Sequence, residues 1–306
     1  MEYIRNKTEF NIKENTAVSL GKFDGIHRGH DLLMQKVIAK KKENLASLAF
    51  TFDMPTRKLQ DPKADDKVIT TNSEKALVFE RIGIDYLIEC PLVDEVMKME
   101  PEAFIKKLCD ELHMKYVVVG PDFHFGYKRA GDYNTLIKYQ KKYGYEVEVV
   151  HKLKDDGWDI SSTRIRDALK KGLISDVNRL LGYDYFMEGV VIHGNQIGRK
   201  MSIPTVNIAI PENKELPPFG VYATITEISG KSYCGATNIG IKPTIPGENK
   251  VGAETNLFDF NGDIYDERII VKFYKYIRPE KKFESIEELK SQIEKDVEAI
   301  KDVFKM

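Results

Sequence analysis

The sequence predicts an α/β domain built on a mainly parallel sheet, followed by a small antiparallel β-barrel that ends in one long helix. Three observations carry this. Up to about residue 180, short β-rich runs alternate with amphipathic segments, the signature of a parallel sheet covered by helices. Beyond "LLGYDYFMEG" the texture changes to short strands joined by Gly, Pro and Asn turns, as in a small barrel. The last 22 residues then return to helical spacing.

In the first part the strand candidates are "AVSLG", "SLAFTF", "DYLIEC", "KYVVVG" and "YEVEVVHKL". Between them "HDLLMQKVIAKKK", "SEKALVFERIG", "PEAFIKKLCDELH" and "NTLIKYQKKYG" read as helices, with Lys40, Lys41 and Lys42 as the wet end of the first. In the second part "GVVIHG", "TVNIAI", "GVYATITEI", "SYCGATNIG", "ETNLFDF" and "ERIIVKFYKYI" are the barrel strands. Ser285 and Glu288 form a capping-box pattern ahead of Ile286, Leu289, Ile293, Val297 and Ile300, which repeat at helical spacing. The boundary between domains is expected at 183/184, giving 1–183 and 184–306.

Composition narrows the classes of function. A chain of 306 residues is long enough for two domains, each with its own core. The formal net charge is -1, so no global basic excess points to nucleic acid or to an anionic membrane. Cys90, Cys109 and Cys234 are odd in number and lack a C-x-x-C spacing, which argues against a disulfide framework and a zinc site and for a reducing cytoplasm. The start "MEYIRNKTEF" has no apolar signal region, and no run approaches the roughly 18 apolar residues of a membrane helix.

The densest chemistry lies in "LGKFDGIHRGHDLL", between the first strand and the first helix. Backbone amides and a helix N-terminus there make an anion site. Gly21 and Gly25 allow close backbone approach, Gly29 allows a tight helix start, and His27 and His30 can donate to a phosphoryl oxygen. The plain alternative is a tight turn with histidines that only cap a helix. Neither G-x-G-x-x-G nor G-x-x-x-x-G-K-[ST] occurs at this turn, which argues against a dehydrogenase or a P-loop ATPase. A second phosphate-type element, "ISSTRIRDALKKG", starts a helix with Ser161, Ser162 or Thr163 as cap and Arg164 and Arg166 in its first turn.

The H-x-G-H string His27–Arg28–Gly29–His30 resembles the signature of the nucleotidylyltransferase superfamily. With "VVGPDFHFGYKRAGD" and "SSTRIR" downstream, "GKFDGIHRGH" looks like the adenylyltransferase module of prokaryotic bifunctional riboflavin kinase/FAD synthetases. The resemblance implies a Rossmann-like nucleotidylyltransferase fold in which FMN phosphate attacks the α-phosphorus of ATP and pyrophosphate leaves. It makes His27 and His30 catalytic, and puts nucleotide and flavin binding on Gly21, Phe23, Asp24, Gly25, Asp122, Phe123, Ser162, Thr163, Arg164 and Arg166.

The barrel half carries "GNQIGRKMSIPTVNI", "PPFGVYAT", "TNIGIKPTI", "ETNLFDF" and "YIRPEKKFESIEELKSQI". Gly194 to Arg199 reads as a glycine-flanked flap for phosphates, Thr205 and Asn207 share a strand face as hard oxygen ligands for Mg²⁺, and Glu254 is placed to take a hydroxyl proton. Taken singly, a Pro-Thr-x-Asn is more often a strand entry than a metal site, and a lone Glu on a barrel rim is more often solvated than catalytic. In this order they resemble the riboflavin kinase domain, in which ATP donates its γ-phosphate to the ribityl hydroxyl. The resemblance implies Gly198, Arg199 and Arg278 as nucleotide or flavin contacts, Thr205 and Asn207 as Mg²⁺ ligands, and Glu254 as the base. Riboflavin, FMN, FAD and ATP follow as substrates and products.

Three departures from the pattern stand out. Relatives continue "TF-x-P-H-P" where this chain has "TFDMPTRKL"; the glycine before I-P-T is Ser202; and E-x-H is Glu254, Thr255, Asn256. The expected function is riboflavin to FMN to FAD. The alternatives are one active module beside a flavin-binding or regulatory one, a membrane-associated resistance component, and a nucleic-acid-binding regulator.

Overall fold

The computed structural model describes residues 1–53, 67–192, 205–245 and 248–306. Contacts divide the chain into two compact units, Met1–Ser162 and Thr163–Met306.

The first unit is built on six parallel strands: β1 (Glu2–Arg5), β2 (Thr16–Leu20), β3 (Ala46–Phe52), β4 (Tyr86–Cys90), β5 (Met114–Val119) and β8 (Glu146–Val149), in the order β1-β4-β3-β2-β5-β8. The intervening β6 (His124–Phe125) and β7 (Gly131–Asp132) form one small antiparallel pair, and β9 (Lys154–Asp155) and β10 (Trp158–Asp159) another. The central β2 is buried at all five positions and β3 at its five inner ones, as expected for a strand covered on both faces. The helices are α1 (Arg28–Ala39), α2 (Asn72–Ile82), the short α3 (Asp94–Met97), α4 (Pro101–Leu112) and α5 (Tyr133–Tyr143).

Local sequence explains where these helices start and stop. Thr71 and Glu74 make a complete capping box on α2, Asp132 and Thr135 one on α5, and Gly83 and Gly144 end the same helices in left-handed conformations. Lys40–Glu43 is a 3₁₀ turn beyond α1 with no buried residue, the wet end its charge foretells. The edge strand β1 was not legible in advance: four polar-flanked residues gain their strand only by pairing with β4.

Because β3 lies on one side of β2 and β5 on the other, the sheet's order reverses between β2 and β5. The carboxyl ends of these two strands therefore open a crevice. The turn Gly21–His27 leaves β2 there, and Gly120–Phe123 leaves β5 there.

The second unit begins with α6, whose span Ser162–Lys170 straddles the division, and α7 (Ile174–Leu181). Asn178 ties α7 to the barrel: its amide donates to the Phe273 carbonyl at 2.8 Å and accepts from the Tyr185 N–H at 2.8 Å. The barrel strands are β11 (Phe186–Ile192), β12 (Thr205–Ala209), β13 (Gly220–Ile228), β14 (Lys231–Ile245), β15 (Glu248–Leu257) and β16 (Arg268–Pro279), closed in the order β11-β12-β15-β14-β13-β16. Thr224, Thr237 and Thr255 are buried inside and joined by hydroxyl contacts of 2.7 and 2.8 Å. Their alternation fixes which face of each strand points outward.

The C-terminal helix runs Ile286–Phe304, capped by Ser285, which accepts from the Glu288 N–H at 3.1 Å. The capping pattern is half realised, since the Glu288 carboxylate accepts from the Glu284 N–H instead. The inward stripe also shifts: Ile286 is 61% exposed, while Asp296 and Ile300 are buried.

Candidate functional sites

In the first unit the turn after β2 is held in a conformation ordinary residues resist. Phe23, Gly25 and Ile26 have φ of 46°, 81° and 33°, a concentration of left-handed backbone that marks a functional segment. Surrounding packing enforces it. Phe23 and Ile26 are buried, and a Cβ on Gly21 would lie 2.8 Å from the Phe23 ring. The Asp24 carboxylate accepts from the Ile69 N–H at 2.8 Å, the Asp24 carbonyl from the Ser162 hydroxyl at 2.8 Å, and Thr70 Oγ1 from the Gly25 N–H at 3.1 Å.

The turn delivers two histidines face to face. His27 is the N-cap of α1, and its Nδ1 accepts from the His30 N–H at 3.4 Å. The rings of His27 and His30 stack at 3.8 Å with an interplanar angle of 16°, and Phe23 meets His30 edge-on at 5.4 Å. Gly29 lets the helix start pack closely here: a Cβ would sit 3.1 Å from the His27 ring. As Nδ1 of His27 is an acceptor, its proton resides on Nε2. The site thus offers a neutral N–H donor beside a helix N-terminus, a geometry for phosphoryl oxygens.

Both imidazoles are kept neutral. Burial pushes His27 down to about 4, opposed in part by its own backbone hydrogen bond and by the Asp122 charge. Burial pushes His30 well below its usual range as well, aided by His27 and by the Lys75 ammonium. A folded-state value below the unfolded one means that the unfolded chain binds more protons between the two. Stability from His27 is therefore full above 6.5 and is lost as the pH falls toward about 4, on the order of 3 kcal/mol. Thermal unfolding followed between these limits will show the first unit weakening on acidification, and His27→Gln will flatten that dependence.

Asp122 and Phe123 follow β5 at the same crevice. Asp122 is exposed and pairs with Lys152 at 3.0 Å; Phe123 stacks on Phe125 at 5.5 Å. Ser162 reaches the turn through Asp24, as above. Thr163, Arg164 and Arg166 belong to the second unit, where Arg166 Nε lies 3.6 Å from the nearly buried Glu215 carboxylate.

On the barrel, strand register assembles the second site. Asn207 faces Glu254, Glu254 faces Asn238, Asn238 faces Val221, and Val221 faces Arg278. Directly opposed residues share a face, so these five form one row around the outside. Thr205, two residues from Asn207, shares that face, and its hydroxyl donates to Glu254 Oε1 at 2.8 Å. Arg278 stands at the end of the row with its guanidinium committed: Nε and Nη2 donate to Asp296 at 2.7 to 3.0 Å, and Nη1 to the Pro279 carbonyl at 3.0 Å. This bidentate latch explains the buried Asp296 on the helix.

Thr205, Asn207 and Glu254 offer hydroxyl, amide and carboxylate oxygens, a hard set that fits Mg²⁺. Among the described residues there is no group of three or more His, Cys, Asp or Glu able to hold a metal, so phosphate and water would complete such a shell. Gly198, Arg199 and Ser202 lie outside the described residues, as does "TFDMPTRKL" beyond Asp53. Sequence reasoning missed Asn238, Asp296, Lys75 and the Ile69–Thr70 brace. Only Asp296 left a signal, a charged residue at helical spacing between Ile293 and Ile300.

The fold and sites define a two-unit protein, one unit a parallel sheet whose crevice presents two stacked histidines at a helix start and the other a barrel presenting hydroxyl, amide and carboxylate groups in a row. Two family models match in that order: FAD synthetase over residues 9–164 and riboflavin kinase over residues 181–304. A bifunctional riboflavin kinase/FMN adenylyltransferase of Listeria monocytogenes is 34% identical over 293 residues, 95% of this chain and 93% of that one. One of Buchnera aphidicola is 37% identical over 300 residues, 96% of each. The chain belongs to the bifunctional riboflavin kinase/FMN adenylyltransferase family. It also matches a crystal structure described as a macrolide-efflux protein from Streptococcus pneumoniae, with TM-score 0.87 and 29% identity over 98% of this chain and 99% of that one. Among the described residues no helix is long and apolar enough to cross a membrane.

Proposed function

We propose that this chain converts riboflavin and ATP to FMN and ADP on its barrel, and FMN and ATP to FAD and pyrophosphate in its parallel-sheet unit. The observation that carries the reading is the match of both family models, in order, to two units that each hold a fitting site. The division between activities is placed at 183/184, in the loop ahead of β11.

In the adenylyl-transfer unit no side chain needs to become a nucleophile, since FMN brings its own phosphate oxygen. The protein's part is to hold that oxygen in line with the α-phosphorus and to meet the charge that grows there. His27 Nε2–H, His30 and the first amides of α1 meet that charge. Gly21, Phe23, Asp24 and Gly25 fix the turn, Asp122 and Phe123 border the crevice, and Ser162, Thr163, Arg164 and Arg166 serve the nucleotide phosphates.

On the barrel Glu254 accepts the proton of the ribityl hydroxyl as that oxygen attacks the γ-phosphorus. Thr205 and Asn207 would hold Mg²⁺, which supplies charge neutralisation at the transferring phosphate. Gly198 and Arg199 are assigned to the phosphates, and Arg278 borders the flavin by anchoring the C-terminal helix. A cytoplasmic location goes with this reading, supported by three free cysteines, and neither nucleic acid nor membrane is assigned as a partner.

The test is incubation of the protein with riboflavin, ATP and Mg²⁺, followed by separation of flavins. FMN is expected first and FAD after it, with pyrophosphate released in the second step. Riboflavin left unchanged, and FMN left unchanged when supplied directly, would overturn the reading. The departure "TFDMPTRKL" favours one second reading, in which FMN is formed and bound but not adenylylated.

A further inference from the structure

Behind the histidine pair lies a charged cluster to which neither the motifs nor the family match assigns a role. Lys75, in the first turn of α2, is 6% exposed, and Glu89 on β4 is 4% exposed. The Tyr3 hydroxyl donates to Glu89 Oε2 at 2.6 Å. The other oxygen, Oε1, is buried, accepts no hydrogen bond among the described residues, and faces the Lys75 ammonium at 3.8 Å. His30 Nδ1 is likewise buried without a hydrogen-bond partner among the described residues.

Four elements meet the helix that carries this lysine: Glu89 comes from β4, Asp53 follows β3, and Phe23 of the turn after β2 meets both Phe79 of α2 and His30 of α1 edge-on, at 5.5 and 5.4 Å. The same elements are tied around it by hydrogen bonds. Asn72 at the start of α2 donates to the Asp53 carbonyl at 2.9 Å, Asp53 Oδ1 accepts from the Leu92 N–H at 3.1 Å, and Asp24 accepts from the Ile69 N–H ahead of α2. A buried ammonium is costly unless carboxylates surround it. Packing alone does not explain the pair, because apolar side chains in its place would fill the space without that cost.

We infer that Lys75 is a positioning residue of the adenylyl-transfer site: its buried charge balances Glu89, Asp24 and Asp53 and sets the field in which His30 meets a phosphoryl group. The inference rests on the assignment of that site made above. Glu89, steadied by Tyr3, holds the ammonium from the far side. Removing the cation takes away a charge that disfavours protonated His30, so His30 then titrates at higher pH. The charged groups concerned are Lys75, Glu89, Asp24 and Asp53, with Arg5 beyond Glu89 and with His27 and Asp122 on the ligand side.

The test compares the parent chain, Lys75→Arg and the double variant Lys75→Met/Glu89→Gln, which removes the ion pair together so that neither partner is left buried without the other. Imidazole proton NMR across pH, with His30→Ala to assign the resonance, reads the titration. FAD formation from FMN reads the site, and riboflavin phosphorylation in the same molecules reports on the other unit. We expect His30 to titrate at higher pH in the double variant than in the parent, with kcat for FAD formation down about tenfold, Lys75→Arg restoring both, and riboflavin phosphorylation unchanged in all three. A parent-like His30 titration and parent-like FAD formation in the double variant, while His27→Ala abolishes FAD formation, would overturn the role of Lys75 alone. Undiminished FAD formation in both the double variant and His27→Ala would overturn the site itself and this inference with it.

Discussion

Replacing Glu254 by glutamine is expected to slow riboflavin phosphorylation by about 10²- to 10⁴-fold, the usual contribution of a positioned general base, while FAD formation from FMN proceeds at the parent rate. The side chain keeps its shape, and Glu254 Oε1, which accepts from Thr205 at 2.8 Å, becomes an amide oxygen or nitrogen that has lost proton affinity. The strand pairs Asn207 with Glu254 and Glu254 with Asn238 run through the backbone, so the barrel is undisturbed. The check is two initial rates on one preparation: FMN from riboflavin, and FAD from supplied FMN. Normal phosphorylation by the glutamine variant would remove Glu254 from the mechanism. A loss of both rates would mean that the substitution had damaged more than the base.

The second large effect is expected in the other unit. His27→Ala removes the Nε2–H donor and should cut FAD formation by about 10²- to 10³-fold, the scale for losing one preorganised donor at a developing charge, with riboflavin phosphorylation intact. The same side chain also caps α1, and loss of a cap costs about 1 kcal/mol. Asparagine separates the two roles, because it caps a helix well but lacks a donor at the Nε2 position. His27→Asn should therefore recover thermal stability and not FAD formation. Recovery of both would mean that His27 only shapes the turn.

These contrasts depend on how far local chemistry and tertiary packing each specify the protein. The turn from Gly21 to His30 was legible because its demands are local: glycines where a Cβ would crowd Phe23 or His27, and histidines at the N-cap and in the first turn of a helix. The barrel site was legible in part. Thr205, Asn207 and Glu254 stood out by residue type and order, whereas Asn238 acquires its place only from the β14–β15 register, which no local pattern encodes. Arg278 was read as bordering the flavin, but its guanidinium's closure on Asp296 was not legible, because that partner sits 18 residues away on a helix whose docking angle no spacing gives.

The division of the chain shows the same limit. Composition shifts at the barrel, so 183/184 is where the sequence changes texture, but α7 attaches to β16 through Asn178, and contacts divide the chain at Ser162. By itself, the sequence determined the two fold classes, their order, the helix caps and the phosphate turn, since each follows from hydrophobic period or from the backbone freedom of single residues. The tertiary structure alone decided the edge strand β1, the outward row on the barrel, the latch between Arg278 and Asp296, and the buried Lys75–Glu89 pair behind the histidines. All four are contacts between separate elements, and their energy comes from strand pairing, burial and charge pairing that exist only once those elements have met.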